Sequence, residues 1–152
     1  MTSEYAITSL SVNFCADERR QVDALFVYDQ DSVADDVGTM SSASLSGVTK
    51  GRITGLGMGP DMPVAGQSQP GGITYGDLEV VQANLGSGDD TLLVDYATVS
   101  SDHTTERGGE FYTLTMVNTG AGADRITVSL EAGRSGAFAL NTQGGDDEVY
   151  GQ

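Results

Sequence analysis

Tryptophan is absent from this 152-residue chain, cysteine and histidine occur once each, proline three times, and Lys and Arg together only 7 times against 22 Asp and Glu. Each shortage excludes something. A lone Cys15 forbids an internal disulfide, so the fold is not a stapled scaffold and Cys15 reads as a small core residue. The deficit of basic residues leaves a net charge of −15, which repels nucleic-acid phosphates and anionic lipid and predicts no nucleic-acid partner. Cations are the natural counterparts of such a surface. Long apolar runs are missing too: from Tyr5 to Phe14 apolar residues alternate with Ser, Thr and Asn, unlike a signal peptide or a membrane helix, so membrane insertion is not expected.

What is present is glycine, 21 residues of it, and a repeat. Asn84-Leu85-Gly86-Ser87-Gly88-Asp89-Asp90 is followed by Asn118-Thr119-Gly120-Ala121-Gly122-Ala123-Asp124, and then by Asn141-Thr142-Gln143-Gly144-Gly145-Asp146-Asp147. All three copies keep Asn six residues before Asp and Gly two before it. Each is entered and left by short alternating segments such as Leu114-Thr115-Met116-Val117 and Ile126-Thr127-Val128-Ser129, the period-two signature of strands with one buried face. A degenerate fourth copy is expected at the start, with Leu10 to Asn13 as its entry strand and Asp23 to Val27 as its exit strand.

The Asn positions are 34 and 23 residues apart, and the shorter interval matches one coil of a parallel β-helix. One such coil cannot bury its apolar side, so coils must stack strand on strand until a continuous core forms. The expected fold is therefore all-β: one domain over residues 1–152, a parallel β-solenoid of the right-handed β-helix kind, with loops extruded near 58–72 and 100–109. Strands for the intervening coils are expected in Gly38 to Leu45, Gly51 to Leu56 and Gly72 to Tyr75. Gly88, Gly122 and Gly145 supply turn conformations that a Cβ resists, Asp90, Asp124 and Asp147 hydrogen-bond local amides, and the three Asn stack as an amide ladder.

The turn resembles the nonapeptide of RTX (hemolysin-type calcium-binding) proteins, Gly-Gly-x-Gly-x-Asp-x-apolar-x, at Leu85 to Leu93, Thr119 to Thr127 and Thr142 to Tyr150, each copy departing at its first position. Gly72-Ile73-Thr74-Tyr75-Gly76-Asp77-Leu78-Glu79, running into the Asn84 turn, is similar to repeat units of very large bacterial surface and secreted proteins. The resemblance implies calcium held by Gly86, Gly88 and Asp90, by Gly120, Gly122 and Asp124, and by Gly145 and Asp147, through backbone carbonyls and carboxylates. In the RTX roll the nonapeptides follow one another without gaps. The wider spacing here puts one turn in each coil, all on one edge.

Other candidates are weaker. Asp29 to Asp36 opens like a calcium loop but has no Glu at its twelfth position, and reads as a surface loop. His103 stands with Asp102, Glu106 and Arg107 in a polar stretch, as solvated loop residues rather than a catalytic group. Neither end of the sequence carries a recognisable cap. The expected function is a non-enzymatic extracellular or cell-surface structural module, its partners being copies of itself in a filament or neighbouring repeats of a larger protein. The alternatives are a calcium-binding adhesive module and a carbohydrate-binding or carbohydrate-active β-helix.

Overall fold

A computed structural model describes residues 22–98, 113–131 and 135–152. Twelve strands and no helix occur among them: β1 (Ala24–Tyr28), β2 (Val37–Leu45), β3 (Val48–Gly55), β4 (Met62–Val64), β5 (Gln67–Gln69), β6 (Ile73–Tyr75), β7 (Val80–Asn84), β8 (Thr91–Val94), β9 (Leu114–Asn118), β10 (Arg125–Val128), β11 (Ala137–Asn141) and β12 (Glu148–Gly151). The all-β expectation therefore holds, and no described helix is long and apolar enough to cross a membrane.

The strands form a four-stranded sheet in the order β1-β7-β9-β11, a six-stranded sheet in the order β12-β10-β8-β2-β3-β6, and the pair β4-β5. Every pair in the first sheet is parallel and in register, with Tyr28, Asn84, Asn118 and Asn141 in one row. In the second sheet β12, β10, β8 and β2 are parallel, but β3 runs antiparallel to β2 and β6 antiparallel to β3.

This mixture corrects the expected fold: the chain is not a single parallel β-solenoid. Gly38 to Leu45, Gly51 to Leu56 and Gly72 to Tyr75 do hold strands, but they reverse direction instead of forming successive parallel coils. The cause is local. Ser46 and Gly47 both have positive φ, 52° and 80°, which is the two-residue hairpin geometry whose twist matches the flanking strands. Ala65 and Gly66 repeat it, at 51° and 80°, so the glycine- and proline-containing segment near 58–72 carries the β4-β5 hairpin. Asp23 to Val27 is also reassigned. It lies in an entry strand, pairing with β7, and not in an exit strand; Leu10 to Asn13 and Cys15 lie outside the described residues.

The inward residues of both sheets meet in one apolar cluster that includes Met40, Ile53, Val81, Ala83, Leu92, Val94, Val117 and Ile126. Its order follows from the register, because in-register parallel strands stack like on like. Val27, Ala83, Val117 and Leu140 form one column, and Gly38, Leu92, Ile126 and Val149 another on the facing sheet. Alternate residues face solvent, as in the exposed–buried alternation of β8 from Thr91 to Val94. A turn carrying Asn and Asp therefore always joins a strand of one sheet to a strand of the other, at the same edge of the core.

Candidate functional site

The three repeated turns span 85–90, 119–124 and 142–147, each leaving a strand of the four-stranded sheet at Asn and entering the six-stranded sheet after Asp. Because the flanking strands are in register, the turns lie one above another. Asn118 Nδ2 donates to Asn84 Oδ1 at 2.8 Å and Asn141 Nδ2 to Asn118 Oδ1 at 3.2 Å, forming the expected amide ladder. Gln82 Nε2 also donates to Asn84 Oδ1, at 2.7 Å.

The aspartates do something the sequence did not reveal. Instead of bonding amides within their own turn, they bond the rung beside them. The Asp36 amide donates to Asp90 Oδ1 at 2.9 Å, the Asp90 amide to Asp124 Oδ1 at 2.9 Å, and the Asp124 amide to Asp147 Oδ1 at 3.1 Å. The preceding residues form a second relay of opposite sense. The Asp89 amide donates to Asp35 Oδ1 at 2.9 Å and the Ala123 amide to Asp89 Oδ1 at 2.8 Å. Asp35 and Asp36, read as part of a surface loop, are thus a fourth rung. The signal was an Asp-Asp pair directly before an apolar strand, as at Asp89-Asp90 and Asp146-Asp147; a turn longer by two residues after Tyr28 hid it.

The glycines permit this stacking by letting backbones touch. A Cβ on Gly145 would lie 1.6 Å from the Gly122 carbonyl oxygen, and Gly145 has φ 137°. No other residue allows that approach.

The calcium-ligand set implied by the RTX resemblance is tested by where its oxygens are engaged. The Gly86 carbonyl accepts the Ala121 amide at 3.1 Å and the Gly120 carbonyl accepts the Gly144 amide at 2.9 Å. Asp90, Asp124 and Asp147 each give Oδ1 to a neighbouring amide. Asp124 Oδ2 is the exception, buried without a hydrogen-bond partner. A Cβ on Gly88, Gly122 or Gly145 would stand 1.9, 2.1 or 1.6 Å from a backbone carbonyl oxygen of the adjacent rung, so the backbones themselves are in close contact there. Among the described residues no three His, Cys, Asp or Glu are grouped to hold a metal. Three of the carboxylates and two of the carbonyls in this set are thus engaged by amides of the adjacent rung, whereas a calcium site needs six to eight converging oxygens.

The ladder carries its own electrostatics. Asp90 is only 2% exposed, and burial pushes its carboxyl above the usual 3.8, with the charges of Asp124, Asp36 and Asp29 adding to the rise and the Asp36 amide opposing it. Asp29 moves the same way, from burial first and then from Asp36. A carboxyl raised in the folded state binds its proton more tightly there than in the unfolded chain, so folding gains stability as pH falls toward 3.8 and loses it as pH rises through the folded value. The melting temperature is accordingly expected to climb as pH is lowered from 7.5 toward 4.5. Asp90→Asn, which keeps an oxygen for the Asp36 amide and removes the charge, should flatten that climb; an unchanged slope would assign the effect elsewhere.

Elsewhere, Ser42, Thr49, Asp95, Tyr96, Ser129, Glu131 and Ser135 line an open polar cleft of about 270 Å³ beside the six-stranded sheet. Asp102, His103, Glu106 and Arg107 lie outside the described residues. The chain matches no protein-family model, no curated protein and no solved structure with which it was compared.

Proposed function

We propose that this chain is a non-enzymatic structural module of a larger extracellular or cell-surface assembly, in which the repeated Asn and Asp side chains join rungs of backbone to one another. The observation that carries this reading is the continuous relay Asp36–Asp90–Asp124–Asp147. The carboxylates of Asp90, Asp124 and Asp147, residues a binding or catalytic site would present, each accept a neighbouring backbone amide, and the first two are buried. The strongly acidic surface supports an extracellular setting, where it maintains solubility.

Simple head-to-tail stacking of copies is less well supported than continuation into neighbouring repeats. In the six-stranded sheet β2 is already covered by the antiparallel β3, so β12 of a second copy cannot pair with it. The test is thermal unfolding in millimolar calcium and in excess chelator. The two melting temperatures are expected to coincide. A calcium-dependent module present at 100 times its dissociation constant would instead gain about 2.7 kcal/mol, and a rise of several degrees in calcium alone would refute the structural reading.

A further inference from the structure

At one side of the molecule the two parallel stacks end together at β11 and β12, and among the described residues nothing lies against them. Val149 shares a column with Leu92 and Ile126, which are 1% and 0% exposed, yet is itself 53% exposed. Phe138 and Leu140, in the facing sheet, continue the columns of Thr115 and Val117 and are also only partly buried. Among the described residues the interior is therefore open at this end, framed by the two parallel edge strands β11 and β12, whose outward backbone groups have no described partner strand.

Polar groups around this opening specify what would close it. Asn84 Oδ1 accepts Asn118 Nδ2 and Asn118 Oδ1 accepts Asn141 Nδ2; Asn141 Oδ1 accepts from no described residue. The amides of Asp36, Asp90 and Asp124 each reach the carboxylate of the next rung; among the described residues the Asp147 amide reaches none. Asp146 occupies the position from which Asp35 and Asp89 accept the next rung's amide, and it accepts none from the described residues. One acceptor, one donor and one carboxylate are thus left with the spacing that an Asn and an Asp six residues apart would satisfy.

We propose that the β11–β12 end is a docking surface for a further strand-turn-strand segment carrying Asn and Asp six residues apart, added in parallel register. This inference rests on the structural reading above and names its partner. A second copy is the poorer occupant. Its first row carries Tyr28 where the ladder requires Asn, and its β2 is occupied by β3.

The probe is a synthetic peptide with the sequence of residues 113–130, which contains β9, its turn and β10, titrated into the full chain by calorimetry. Saturable binding is expected. Changing both Asn118→Ala and Asp124→Ala in the peptide should weaken it at least about tenfold, since each removes a hydrogen bond to the opening. Val149→Glu in the chain, at a half-exposed position whose melting temperature verifies folding, should do the same. No saturable binding up to about 1 mM, or binding indifferent to the peptide changes, would overturn the docking surface. So would concentration-dependent self-association abolished by Val149→Glu, which would make the occupant a second copy. A failure here with coincident melting in calcium and chelator removes the docking surface alone; a calcium-dependent melt removes the structural reading itself.

Discussion

Replacing Gly120 by alanine is expected to lower stability by about 4 kcal/mol, seen as a fall of roughly 10 °C in melting temperature. Two costs add. Gly120 has φ 87°, a conformation that costs a residue with Cβ about 1–2 kcal/mol. The new Cβ would also stand 1.9 Å from the Gly86 carbonyl oxygen and 2.9 Å from that of Leu85, both on the adjacent rung. Backbone cannot swing aside as a flexible side chain can, and moving Gly86 breaks its bond to the Ala121 amide. Gly47→Ala is the control. Its φ is 80°, but a Cβ there meets nothing within 4 Å, so only the conformational cost of about 1 kcal/mol remains. Equal losses at the two positions would show that rung-to-rung crowding contributes nothing.

The same contrast shows what could be read in advance. Asn84, Asn118 and Asn141 stand at the same offset before Gly and Asp, and identical offsets on in-register strands leave them no place but one row, so their ladder was legible from the repeat alone. The destination of the aspartates was not. A carboxylate bonding an amide in its own turn and one bonding the rung 34 residues away have the same local sequence, and stacking geometry decides between them. Strand direction escaped for a related reason. Ser46-Gly47 and Ala65-Gly66 are weak versions of the Asn-Gly hairpin signal, and a positive φ at Ser46 or Ala65 is not announced by residue type. Once β2 and β3 form a hairpin, eight residue pairs from Gly38↔Gly55 to Leu45↔Val48 fix the antiparallel arrangement, and the parallel expectation fails for that half of the sheet.

Ile126→Ala is expected to cost about 4 kcal/mol, within the range for emptying a buried isoleucine site. Ile126 is fully buried in the middle of β10, with Leu92 on one side and Val149 on the other in the same column. Its neighbours are held by parallel pairing on both edges, so the strands cannot close over the space and the cavity persists, which places the loss at the upper part of that range. Val149→Ala, one rung further along the same column, removes a side chain already 53% exposed and should cost only about 1 kcal/mol. Urea unfolding of the two variants measures the difference directly. A column in which both substitutions cost the same would mean that Val149 is as buried as Ile126, and that the β11–β12 end is already covered in solution.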